Sequence, residues 1–470
     1  MPVRIRPARA SFSSRASNGD ARPDNRLALL DQAFFDGHRA AGQKEVMQGV
    51  WVYEHAIDLD ALRRLHHDLG YSLFGRLIER SPLPFGRHRW VADRGPSDID
   101  IAECARPRAE LSDWADECSQ LPLDPEWGPG WYLGVLPLTD GSTAITLVVS
   151  HYLLDGIGSL IEMVGMFLGN TRDLGYPPPR SRTRLRAVVQ DARQTVQAAP
   201  ESVRAFVAGA KVARRRRHDV PRSPAPRPVA FRGGDGDAPV VVPGITICID
   251  LDNWDSRAKA LGGASNTLAA GLTAKLGERL GFGHDDDGTV TVQLVASNRT
   301  EDDTRAVAVS FARVKVDPTQ ATADLHDARA AIRQALKALR ETGDDELVQL
   351  APLTPFTPER TWKQLADGAL TDPDHPVICI NFGDVGSIIT RPDGTDCDYF
   401  YARGLNQNAT RQWLERMGGQ LQLLSHRAPA LGKFSIHVLA YQPGADNTKA
   451  ALRELAARTL AEFGLSGTIE

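Results

Sequence analysis

No uninterrupted apolar run in this 470-residue chain reaches the roughly 18 residues that a membrane-crossing helix requires, so the protein is expected to be soluble or peripheral. Its five cysteines, Cys104, Cys118, Cys248, Cys379 and Cys397, are odd in number, scattered and without C-x-x-C spacing. That usage argues against a disulfide framework or a zinc site and fits a reducing cytoplasm. Neither sign of charge dominates: 55 Lys and Arg against 59 Asp and Glu leave a net charge of -4, which excludes a general affinity for nucleic acid. Several catalytic signatures are missing as well. There is no G-x-x-x-x-G-K-[ST] phosphate loop, no G-x-S-x-G nucleophile elbow and no H-E-x-x-H pair, and Gly156-x-Gly158 lacks the third glycine of a dinucleotide fingerprint. Hydrolysis through a covalent serine or a bound zinc loses its support, no metal or bound cofactor is expected, and a histidine acting without either is what remains.

The stretch able to carry such chemistry is residues 143–161, TAITLVVSHYLLDGIGSLI. A β-branched, apolar run (Ile145, Thr146, Leu147, Val148, Val149) delivers Ser150 and His151, then Asp155 and Gly156, and then a second apolar run with helical spacing. This reads as buried strand, loop and helix. A side chain at the end of a rigid strand is held better than one on a free loop. An imidazole side chain can take a proton from a hydroxyl or amine once its orientation is fixed. Asp155, followed by a glycine that permits a tight turn, can brace the loop or hold the ring. The alternative is a structural histidine satisfied after a strand.

Ordered structure is expected from about residue 27, after an Arg- and Ser-rich disordered tail over residues 1–24. The first half reads as a strand at 47–57, a helix capped by Asp58, a short strand at 87–91, a helix at 111–121, and a strand at 130–138 that pairs with the His151 strand. His66 and His67 on the Asp58 helix read as surface residues. Tyr176-Pro177-Pro178-Pro179 breaks the chain, a helix follows at 183–212, and Arg214, Arg215, Arg216 and Arg217 precede a Pro/Arg/Gly linker. Such an arginine run reads as a solvated helix end, or as a patch for an anionic membrane surface or acidic partner. The second half reads as strands at 244–251, 289–297, 307–316, 376–380, 421–424 and 434–441, with helices at 265–280 (cap Ser265), 322–339 (cap Thr322) and 448–463. His284-Asp285-Asp286-Asp287-Gly288 lacks the ligand spacing of an EF-hand and reads as a turn. The class is α+β, with helices on mixed sheets in two similar halves: residues 25–180, a linker at 181–242, and residues 243–470.

Ser150-His151-x-x-x-Asp155-Gly156 resembles the His-His-x-x-x-Asp-Gly motif of the CoA-dependent acyltransferase superfamily, which includes peptide-synthetase condensation domains and bacterial wax ester synthase/diacylglycerol acyltransferases. LALLDQAFF and VWVYEHAIDLDALRRL are similar to the opening of the latter family. Ser265-Asn266-Thr267-Leu268 falls where that family carries an Asn-Asp helix start, and VQLVASNRT, containing Arg299, resembles its strand ending in an arginine. CINFGDVG, containing Asn381, takes the place of its Asn-Val-Pro-Gly-Pro segment, or of Asp-Phe-Gly-Trp-Gly in condensation domains. The chain departs from the pattern in four places. Ser150 replaces the first histidine, Thr267 replaces the Asp, Gly130-Trp131-Tyr132 stands near the family's Pro-Leu-Trp, and no proline follows Asn381.

The resemblance implies an α+β (two-layer α/β) pair of chloramphenicol-acetyltransferase-like lobes, with a tunnel at their interface that acyl-CoA enters from one side and the acceptor from the other. It implies that His151 and Asp155 form the catalytic pair. His151 removes the proton of an acceptor hydroxyl as it attacks the thioester, without an acyl-enzyme, and Asp155 braces the loop through Arg299. Ser150, Gly156, Asn266, Arg299 and Asn381 are the expected substrate-binding residues, with Ser150, Gly156 and Asn381 as donors to the oxyanion. Expected partners are acyl-CoA and a hydroxyl acceptor, with a peripheral membrane or lipid-droplet surface, or an acyl carrier protein, as further candidates. The nearest alternative is a condensation enzyme that forms an amide or ester from a carrier protein's pantetheine arm. An alternative of another class is a non-catalytic pair of lobes that binds a ligand or partner.

Overall fold

A computed structural model describes residues 24–171, 174–219, 239–282, 288–300, 302–342, 350–369 and 376–470. All but the last residue of the expected basic tail, the Pro/Arg-rich stretch 220–238 and the expected turn from His284 lie outside the described residues, apart from Gly288.

The apolar runs assemble into two main sheets and one small hairpin. The first sheet is organised around β6 (Thr143–Ser150), buried along its whole length because β1 (Lys44–Tyr53) flanks it on one side and β5 (Trp131–Pro137) on the other, both antiparallel. Short β4 (Asp100–Ile101) extends the sheet beyond β5, and β11 (Tyr399–Gln407) extends it beyond β1. A separate hairpin pairs β2 (Arg76–Glu79) with β3 (Arg89–Ala92). The second sheet runs in the order β14 (Thr468–Ile469), β7 (Gly244–Asp250), β13 (Lys433–Tyr441), β12 (Gln420–Ala428), β10 (Val377–Asp384), β8 (Val290–Ser297) and β9 (Val309–Val316). β10 is parallel to both its neighbours, so this sheet is mixed.

β11 crosses the division of the chain into halves, since it belongs to the C-terminal part and pairs with β1 from Lys44↔Gln407 to Val52↔Tyr399. Its sequence, YFYARGLNQ, hides it from pattern reading because an arginine and a glycine interrupt the alternation. In the structure Arg403 is buried and paid for in hydrogen bonds, donating to Gln48 Oε1 (2.7 Å) and Asp116 Oδ1 (2.6 Å).

The helices cover the sheets: α1 (Leu29–Ala40), α2 (Leu59–Gly70), α3 (Leu111–Ser119), α4 (Gly156–Phe167), α5 (Arg184–Asp219), α6 (Leu251–Ala260), α7 (Ser265–Arg279), α8 (His326–Thr342), α9 (Glu359–Ala369), α10 (Arg411–Arg416) and α11 (Lys449–Glu462). Asp58 caps α2 as its sequence predicts, accepting the Asp60 and Ala61 N–H groups. Asp250 caps α6, a helix the strand-like run before it obscured. Two expected caps differ. Ser265 lies inside α7, and its hydroxyl accepts the Trp254 indole N–H (2.9 Å) instead. Thr322 closes a short 3-10 turn, and α8 begins only at His326, whose N–H is taken by Asp324 (2.8 Å). His66 is half-buried rather than solvated: its ring packs edge-on against Trp131 (centroids 5.0 Å), and burial lowers its pKa. His67 is exposed. The long helix α5 is fixed by buried Asp191, which accepts from Arg89 (3.1 Å), Arg182 (2.9 Å) and Ser81 Oγ (2.7 Å).

Candidate active site

β6 ends at Ser150, which is buried, and its N–H donates to Gly130 O (2.9 Å). His151 opens the turn that follows. Its N–H donates to Glu45 O (3.0 Å) at the start of β1, which pins the backbone beneath the ring. The half-buried imidazole packs against Phe34 of α1 (centroids 5.3 Å), whose ring also meets His38 (4.3 Å) and Tyr152 (5.4 Å). Nδ1 is buried with no hydrogen-bond partner among the described residues, so Nε2 is the ring nitrogen that remains as a candidate base. Packing, not a carboxylate, orients this ring.

Asp155 is buried and fully committed elsewhere. One carboxylate oxygen accepts the Gly158 N–H (2.7 Å) and so caps α4. The other accepts from Arg299 Nη2 (2.7 Å) and from the Ala308 N–H (2.8 Å). The ion pair is almost sealed from water, with side-chain exposures of 1% for Arg299 and 2% for Asp155. A buried pair is more tolerable the more of its remaining hydrogen-bonding capacity is used: the two Nη atoms of Arg299 also donate to the carbonyls of Asp303 (3.2 Å), Arg305 (2.9 Å) and Ala306 (3.1 Å), while Nε has no partner among the described residues. Arg299, grouped on sequence with the substrate-binding residues, is therefore placed in this lock.

The glycines of the motif make room for the second half of the chain. A Cβ on Gly156 would lie 2.5 Å from the Phe382 ring of β10 and 2.7 Å from Met47 of β1, and one on Gly158 would lie 2.8 Å from the Arg299 guanidinium carbon. Residues 303–308, between β8 and β9, are gripped from the first half by three charged side chains. Asp31 of α1 accepts the N–H groups of Ala306 (2.9 Å) and Val307 (3.0 Å). Burial raises its pKa, against the opposing pull of these two N–H groups. Buried Arg76 donates to Thr304 O (2.7 Å) and to Leu153 O in the turn itself (2.6 Å), and its guanidinium lies 3.9 Å from the Trp90 ring centre. Asp155 supplies the third grip and also donates its own N–H to Ala306 O (2.8 Å).

His151, Asp155, Gly156 and Arg299 are thus brought to one joint between the halves, and β10 brings Asn381 next to Phe382 there. Asn381 is half-buried, with Oδ1 accepting the Gly383 N–H (2.7 Å). Asn266 stands apart: it is exposed at the start of α7, and among the described residues its side chain bonds only to the Thr267 hydroxyl (3.4 Å). Sequence reasoning missed Asp31, Phe34, Arg76 and Phe382. For Asp31 a signal existed, since a carboxylate inside the apolar run LALLDQAFF is costly unless it has buried donors to meet. Two surface cavities, one beside Arg279 and Thr448 and one beside Phe85 and Phe356, lie away from the His151 turn, so neither is the implied tunnel.

No protein-family model matches the chain, and no curated protein matches it in sequence. Solved structures match its fold along nearly its full length. The first condensation domain of the calcium-dependent antibiotic synthetase, in complex with a substrate analogue, gives a TM-score of 0.56 at 13% identity, covering 94% of this chain and 97% of that one. The wax ester synthase/diacylglycerol acyltransferase from Marinobacter aquaeolei VT8 gives 0.51 at 15% identity, covering 93% and 98%. The epimerization domain from the third module of tyrocidine synthetase B gives 0.50 at 14% identity, covering 96% and 98%. The chain has the two-lobed, α+β condensation-domain fold that its motif implies. A fold shared by proteins with three differently named activities does not choose among them.

Proposed function

We propose that the protein is an acyltransferase that moves a fatty acyl group from acyl-CoA to a hydroxyl acceptor, with His151 as general base. One observation carries this reading: the His151 ring stands at the end of a buried strand, at the joint of the two lobes, with Nδ1 buried and Nε2 left to react. Unprotonated Nε2 takes the proton from the acceptor hydroxyl as its oxygen attacks the thioester carbonyl. The oxyanion is met by the Gly156 N–H, which has no partner among the described residues, and by the Asn381 side-chain N–H2. Collapse of the tetrahedral intermediate expels the CoA thiolate, which takes the proton back from Nε2. No acyl-enzyme forms, so the rate depends on holding both substrates together. Asp155 and Arg299 act by position, fixing the turn that carries the ring. The five cysteines, all free, suit a reducing cytoplasm.

A second reading draws on the match to condensation domains: the donor is a pantetheine arm on a carrier protein, and the bond formed is an amide or ester. One screen separates the two. Acyl-CoAs and acyl carrier proteins are offered as donors to fatty alcohol, diacylglycerol, sugar and amine acceptors, and products are read by mass spectrometry. Ester formation from acyl-CoA supports the first reading, transfer only from the carrier supports the second, and no turnover with any pair removes both.

A further inference from the structure

Helix α5 is amphipathic the wrong way round for a helix that only packs on its own protein. Its inner side is small or polar, with Ala187, Asp191 and Ala205 buried. Its outer side presents Leu185, Val189, Val196, Val203, Phe206 and Val207, each between 48% and 75% exposed. The spacing of 185, 189, 196, 203 and 207 puts them on one stripe about 33 Å long. Scattered surface hydrophobics need no explanation, whereas a continuous stripe does. Arg186, Arg193 and Arg204 are all exposed and line one flank, about 80 to 100° round the helix from Leu185. Arg184 stands on the other flank. None of the four has an ion-pair partner among the described residues. The stripe carries no carboxylate of its own: Asp191 is buried, and Glu201 lies about 160° round the helix from Leu185.

We propose that this face of α5 lies on an anionic lipid surface, its apolar stripe entering the acyl boundary and its arginines reaching the headgroups. An apolar face flanked by cations is the composition that suits such a surface. Long arginine stems can cross the interface while their guanidinium groups stay with phosphates. A second copy of the chain fits less well, because antiparallel pairing through the stripe sets Arg186, Arg193 and Arg204 against their own counterparts with no carboxylate to accept them. The proposal does not rest on the acyl-transfer reading, since binding is measured without turnover.

The test is flotation of the full-length protein with phosphatidylcholine vesicles, with and without phosphatidylserine. The wild-type chain is expected to float with the anionic vesicles and far less with neutral ones. Arg186→Gln/Arg193→Gln/Arg204→Gln is expected to weaken that partitioning about a hundredfold, at about fivefold per arginine. Val196→Glu/Val203→Glu is expected to abolish it, with circular dichroism confirming that both variants remain folded. Binding to neither vesicle, equal binding to both, or a self-association in solution that Val196→Glu/Val203→Glu dissolves in place of vesicle binding would each overturn the proposal.

Discussion

The most demanding prediction concerns the lock beneath the turn. Asp155→Ala removes the acceptor of three hydrogen bonds, from the Gly158 N–H, the Ala308 N–H and Arg299 Nη2. It leaves a guanidinium buried without its counter-charge, which costs about 3 to 5 kcal/mol. Loss of the α4 cap adds about 1 kcal/mol. The single variant should therefore lose about 4 to 6 kcal/mol, read in urea unfolding followed by tryptophan fluorescence. Arg299→Met strands the Asp155 carboxylate instead, though two N–H donors remain to it. In the double variant neither charge is left alone, so the sum of the single losses should exceed the double loss by about 3 kcal/mol. Single losses that add within about 0.5 kcal/mol would refute the coupling. Where Asp155→Ala does not fold, the isosteric Asp155→Asn keeps the cap oxygen for Gly158, loses the charge and turns an amide N–H2 toward Arg299 and Ala308 in place of their acceptor, and serves in the same cycle. On the proposal that Asp155 acts by position, folded variants should lose turnover without a displaced pH profile.

Two further outcomes follow from burial and close contact. His426 is buried, with no hydrogen-bond partner for either ring nitrogen among the described residues, and burial lowers its pKa from an ordinary 6.5 to about 4. The unfolded chain then binds more protons between those values, so stability is complete above about pH 6.5 and falls by about 3 kcal/mol as pH drops through 4. His437, pushed down chiefly by burial, adds to the same acid loss, and His426→Phe should flatten the slope of urea midpoint against pH. Gly156→Ala places a methyl 2.5 Å from the Phe382 ring, and should cost about 1 to 3 kcal/mol together with much of the turnover. Phe382→Leu in the same chain should restore part of both, and an Ala variant as stable and active as the parent would show that the joint is looser than described.

The sequence made legible what local chemistry encodes. The eight-residue run of β6, its pairing with β5 and the Asp58 cap all follow from periodicity and turn residues. What it hid depends on contacts distant in the chain. β11 pairs with β1 across more than 300 residues, and its buried Arg403 reads as a surface residue until Gln48 and Asp116 stand beside it. Asp31 and Arg76 likewise become intelligible only once residues 303–308 supply their backbone partners. At the site, the motif spacing located the turn, and the resemblance suggested the Asp155–Arg299 pair. The orientation of His151 by Phe34 could not be read, because an aromatic contact between a helix and a strand end leaves no spacing rule in either segment.

The central claim is that the His151 imidazole moves the proton of the acceptor. The direct measurement is turnover of His151→Ala with labelled acyl-CoA and the acceptor found by screening, on protein whose urea midpoint matches the parent. A fall of about 10²- to 10⁴-fold is expected. Turnover equal to that of the parent would contradict it.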